Sequence, residues 1–166
     1  MKAFIGTLLI LAGIGLTAIP VVKRIHFWQD CGGHLELAAN SNTVPTAIQE
    51  LTTALTYIEE NDLTKGFTSI LWRTPDEDIG FWSTNLKSAY AELVALSPEA
   101  APLEKSNMLI KLRETILAHN KDGEYVTVPD SIHKYPNNGA FALLGFIAFA
   151  LIVGGILFIL YAMHND

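Results

Sequence analysis

Cysteine is almost missing from this chain: Cys31 stands alone among 166 residues. One thiol closes no intramolecular disulfide, forms no Cys-x-x-Cys redox pair and builds no zinc ribbon. Asn-x-Ser/Thr acceptors are missing as well, which fits a reduced compartment or a bacterial protein. No Gly-x-x-x-x-Gly-Lys or Gly-x-Gly-x-x-Gly run offers a phosphate loop. Most telling is the lack of charge in two long stretches, residues 3–22 and 139–163, which hold no Asp, Glu, Lys, Arg or His. An intramembrane proton or ion relay built on these stretches therefore lacks its usual residues.

What those stretches do contain is apolar side chains, in runs of the twenty or so residues that a helix needs to cross a bilayer. The expectation is an all-α protein in which two transmembrane helices flank a small up-down domain of about three soluble helices. Its parts would be an N-terminal anchor over 1–24, a helical domain over 25–123, an extended linker over 124–138, and a second span with a short tail over 139–166. A cleaved signal peptide is the alternative for the first run. The run is longer than an ordinary signal core, Ala18-Ile19-Pro20 is a poor cleavage site, and Lys23-Arg24 follow directly, so an uncleaved anchor is expected.

The formal net charge is −6, and because Lys2 and Asp166 cancel, all of it belongs to the segment between the spans. Such a domain repels phosphate backbones, so nucleic acid is not an expected partner, whereas the lipid bilayer is. Lys23, Arg24 and Lys134 lie on the domain side, against Lys2 and the free amine on the other. The positive-inside rule then places the domain in the cytoplasm and both termini outside. Phe27, Trp28, Tyr135 and Tyr161 flank the spans and read as interfacial aromatics, with the soluble core as the alternative for Phe27 and Trp28. Gly6 and Gly13 lie seven apart, and Ala150 and Gly154 four apart with Gly155 adjacent, as in helices that pack closely in lipid.

Between the spans, Ala47, Ile48, Leu51, Ala54, Leu55 and Ile58 recur at three and four spacing, predicting a helix over 46–60 that ends at Asn61-Asp62. Residues 63–73 read as a connection. Thr74-Pro75-Asp76-Glu77 has the form of a capping box with proline at the first helical position. Thr74, Pro75 and Glu77 are thus the expected cap of a helix reaching about Leu96. A third helix is expected over 102–119, with Leu103, Ile110 and Leu117 seven apart, ended by Asp122-Gly123. Residues 29–39 would continue the first span as a helix, interrupted at Gly32-Gly33.

Chemistry is sparse. Asp76, Glu77 and Asp78 are adjacent, so on a helix they point about 100° apart and do not converge on one ion. His34, His119 and His133 lack partners at ligand spacing. Cys31 sits among apolar residues, where a thiol is more often an inert small hydrophobe than a nucleophile. No catalytic residue, metal site or cofactor is therefore assigned. Phe67, Trp72, Arg73 and Trp82 crowd around the cap and form the candidate partner-binding surface, since Trp and Arg concentrate at interface hot spots. Their alternative is core packing.

The run Trp72-Arg73-Thr74-Pro75-Asp76-Glu77-Asp78-Ile79-Gly80-Phe81-Trp82, with Leu63 before it and Asn85-Leu86 after it, resembles small bacterial two-span membrane proteins of unassigned function. The resemblance implies a bacterial membrane and no reaction. The functional expectation is an accessory subunit or scaffold of a membrane protein complex. A membrane-bound enzyme and a homo-oligomeric pore or sensor are the alternatives.

Overall fold

A computed structural model of the protein describes residues 2–121 and 123–164. The expected helix stop at Asp122 and the tail at Asn165 and Asp166 lie outside them. The fold is all-α, with one short hairpin. The chain forms two compact units, one from the stretches up to Ile25 and from Pro136, the other from His26–Tyr135.

The first unit is a pair of long apolar helices, each long enough to cross a membrane. Helix α1 spans Lys2–Phe27; the second long helix, residues 138–164, pairs with it antiparallel, Gly6 lying against Gly155 and Gly13 against Ala148. A Cβ on Gly13 would sit 2.8 Å from the Ala148 carbonyl oxygen and 2.6 Å from Ile152 Cγ1. Ala148, Gly155 and Ala162 are buried and recur every seven residues, so small side chains on both helices bring the backbones together. The seam uses Gly155 rather than the Ala150-Gly154 pair, and Gly154 has open space around it. Lys23 places its ammonium 5.7 Å from the Phe141 ring centre.

The second unit begins where helical backbone continues from Phe27 through a π turn, Trp28–Gly32, into α2, Gly33–Ala39. Phe27, Cys31, Leu35 and Ala38 are all buried. Phe27 therefore belongs to the core, not to an interfacial belt, and its ring meets Tyr57 edge-on at 6.0 Å. Trp28 and Tyr135 also pack against this core.

Helix α3, Val44–Glu60, starts with Thr43 accepting from the Thr46 amide and with proline in its first turn. It ends as expected. Asp62 takes a left-handed conformation and the Leu63 amide donates to Ile58 O at 2.8 Å, a Schellman closure with Leu63 buried behind it. Ala47, Leu51, Ala54, Leu55 and Ile58 are buried, as their spacing predicts.

Helix α4 is Ile79–Ala95, and its cap departs from expectation. The Asp78 carboxylate, not the Thr74 hydroxyl, receives the first-turn amide, from Phe81 at 3.0 Å. Pro75–Glu77 form a separate single 3-10 turn, and Thr74 instead donates to Glu77 Oε2 at 2.7 Å. The cause is a long-range bridge. Thr68 N donates to Glu77 O and Ile79 N to Gly66 O, pairing Phe67 with Asp78. This pairing holds Asp78 extended, so a helix begun at Pro75 cannot run through it. Gly66, at φ +100°, is required beside it, because a Cβ there would lie 2.3 Å from the Tyr135 hydroxyl.

Helix α5, Pro102–Ile116, stops three residues before the expected end. Leu117–Asn120 and Gly123–Val126 instead form an antiparallel hairpin, β1 and β2, with Leu117 opposite Val126. Leu117 and Val126 fill the core, and Gly123 (φ +128°) enters the second strand in a conformation that favours glycine. The buried face of α5 is Leu112 and Ile116, whereas Leu103 and Ile110 of the expected heptad line are exposed. A coil and a 3-10 turn, Ile132–Lys134, lead to α6, Asn138–His164.

Helices α2, α3, α4 and α5 close into a ring, each packed on the next and α5 back on α2. Each fully buried Leu, Ile or Phe of this core contributes on the order of 2 kcal/mol of transfer free energy.

Candidate functional site

The loop before α4 carries three consecutive exposed apolar side chains. Ile70, Leu71 and Trp72 are 57, 77 and 76 % exposed. Exposed single hydrophobes are ordinary, but three in a row on a loop are not. The loop is tied down on both sides. Phe67 pairs with Asp78 by backbone, and Arg73 lays its guanidinium over the Phe67 ring, 5.3 Å from the centre. Of the four residues that the sequence grouped as a surface, Trp72 and Arg73 are therefore exposed, and Phe67 is half-buried with Arg73 over its ring.

Trp82 has a different place. It is half-buried, and its Nε1–H donates to Thr127 O at 2.9 Å. That bond joins the first turn of α4 to the segment after β2. Between them lies a cleft of about 470 Å³, lined by Phe81, Trp82 and Tyr125 together with Asp76, Asp78 and Asp130. Spacing along the chain gave no sign of the far wall, because Tyr125 arrives from a hairpin strand and Asp130 from the segment after it, both read as linker. Their one local signal was Gly123-Glu124-Tyr125-Val126, a glycine followed by β-prone residues.

The remaining reactive groups are committed to structure. Burial pushes the Cys31 thiol up to about 12, with the Asp30 charge adding to the rise, and Sγ lies 3.9 Å from Ala54 O. Cys31 lies beyond the uncharged part of the first long helix, which ends at Val22. Burial likewise raises the Tyr57 hydroxyl. His34 Nδ1 pairs with Glu50 Oε2 at 2.6 Å. Glu124 accepts from Arg113 and lies 2.8 Å from His119; the Arg113 bond is the main cause that holds its carboxyl below the usual range. Arg113 also donates to Asn40 Oδ1 at 3.1 Å, so it joins α5, the end of α2 and β2.

Among the described residues, no three His, Cys, Asp or Glu side chains come together as a metal site. Compared with protein-family models, with curated proteins and with solved structures, the chain finds no match, so its reading rests on its own residues.

Proposed function

We propose that this protein is a non-enzymatic, two-span membrane protein whose acidic helical domain docks another protein, as an accessory subunit or scaffold of a membrane complex. The observation that carries the reading is the exposed run Ile70-Leu71-Trp72, held by a backbone bridge and an Arg73–Phe67 stack. An apolar loop anchored at Phe67 and Arg73, with Trp beside Arg, matches the composition of interface hot spots. Anchoring of the loop at both sides lowers the ordering cost of docking, which favours affinity. The charge balance of Lys23, Arg24 and Lys134 supports a cytoplasmic domain with both termini outside. The resemblance to small bacterial two-span proteins belongs with the same reading.

Homo-oligomerisation is the second reading, favoured by Gly15, Gly145 and Gly154, which have open space where a Cβ would sit. One experiment separates the two. The tagged protein is recovered in mild detergent and weighed by native mass spectrometry, alongside Trp72→Ala and Gly154→Leu. Stoichiometric recovery of a different protein, lost in Trp72→Ala, supports docking. A defined homo-oligomer that dissociates in Gly154→Leu supports the second reading instead.

A further inference from the structure

We propose that the cleft between the start of α4 and the segment after β2 receives a basic side chain, guanidinium or ammonium, presented by the docked protein. This assignment rests on the docking reading and names the chemistry of the partner.

Three features of the cleft select a cation. Its lining carries three aromatic rings, Phe81, Trp82 and Tyr125, with Phe81 63 % and Tyr125 48 % exposed. Rings attract cations through their negative faces, most strongly where water is partly excluded. The Trp82 ring is fixed by its bond to Thr127 O, so it needs no reordering on binding. Asp76, Asp78 and Asp130 line the cleft and no Lys or Arg does. Asp78 is already occupied by the Phe81 amide. Asp76 and Asp130, one from each of the two segments that form the cleft, have no side-chain partner among the described residues.

Other occupants fit less well. A metal ion needs ligands that converge, and here they do not. An anion would meet three carboxylates. A basic side chain has its charge spread over a flat or rounded head, which suits two separated carboxylates and an aromatic wall. That the head belongs to a protein follows from continuity: Pro75 lines the cleft three residues after exposed Trp72, so one partner segment meets the apolar loop and the acidic cleft together.

The test uses the full chain in detergent with Trp28→Phe and Trp72→Phe, which leave Trp82 as the one tryptophan, and follows its emission. N-acetyl-arginine amide is titrated against N-acetyl-citrulline amide, which has the same shape without the charge, and against tetramethylammonium. Arginine amide should give a saturable change, with citrulline amide at least about tenfold weaker. Asp76→Asn with Asp130→Asn should weaken arginine amide about tenfold while leaving the thermal midpoint unchanged, since both carboxylates are exposed. Equal response to citrulline amide, or an indifferent double variant, overturns the assignment. Tighter binding of tetramethylammonium than of arginine amide overturns the partner side chain in favour of a free quaternary ammonium ligand. If Trp72→Ala abolishes partner recovery while the cleft ignores arginine amide, docking stands and this inference fails. If the cleft binds arginine amide and recovery survives Trp72→Ala, the failure lies with the docking reading.

Discussion

Gly6 and Gly155 face each other across the two long helices, and a Cβ on either would lie within 2.8 Å of the other's carbonyl oxygen. Neither position has room for any other residue without moving a backbone. One heptad on, a Cβ on Gly13 would likewise lie 2.8 Å from the Ala148 carbonyl oxygen.

Gly13→Leu should therefore lower the stability of the helix pair by about 1–3 kcal/mol, the usual penalty of overpacking. Gly154→Leu should leave it unchanged, because nothing lies within 4 Å of a Cβ there. Thermal unfolding in detergent, read by circular dichroism, compares the two. Equal midpoints would refute the seam.

The cap of α4 gives a sharp contrast. Asp78→Ala should destabilise the domain by about 1 kcal/mol, since the Phe81 amide loses its acceptor. Thr74→Ala should shift stability by less than about 0.5 kcal/mol, because its bond to Glu77 lies on the surface. Chemical denaturation of both variants decides which residue caps the helix.

Trp82 and Trp72 should separate structure from docking. Trp82→Phe removes the bond to Thr127 O and should cost about 1 kcal/mol. Trp72→Ala should leave the unfolding free energy within about 0.5 kcal/mol of wild type while reducing partner recovery. A large loss of stability in Trp72→Ala would mean that the loop serves the fold.

Acid should weaken the hairpin through Glu124. Its carboxyl is held below its ordinary value of 4.5, chiefly by the bond from Arg113. The folded state thus binds this proton less readily than the unfolded state. The stabilisation is fully present above the unfolded value and is lost as pH falls through the lower folded value. Thermal midpoints of wild type and Glu124→Gln should differ by a constant amount above about pH 6 and converge on further acidification. A gap that widens with acid would reverse the assignment.

Cys31 should resist alkylation in the native protein. With its thiol raised from 9.0 to about 12, the thiolate at pH 8 is roughly a thousandfold scarcer than in the unfolded chain. Mass analysis after iodoacetamide treatment, with and without denaturant, measures the protection. Rapid native labelling would contradict the burial.

These tests fall where the sequence spoke most and least clearly. Helix α3 was legible at both ends, because Pro45, Asn61 and Asp62 act locally and one apolar stripe supplies the core. The exposed half of the candidate site, Trp72 and Arg73, was legible for the same local reason. The cap of α4 was not. Thr74-Pro75-Asp76-Glu77 is a sound local signal, but the pairing of Phe67 with Asp78 outweighs it. The end of α5 failed differently: Leu117 continues the spacing of Leu103 and Ile110, yet it is buried as a strand residue while those two are exposed. Missing the hairpin meant missing Tyr125, and reading 124–138 as a linker hid Asp130, and with them the cleft.

The glycine seam also has a consequence in time. Gly13 and its partner Ala148 are separated by more than 130 residues of chain. At ordinary rates of synthesis the first long helix waits on the order of ten seconds for the second. Throughout that interval its notched face has no mate. Gly6 and Gly13 meet Gly155 and Ala148 only after α6 is made, so the close pairing of the two long helices is a late event of synthesis.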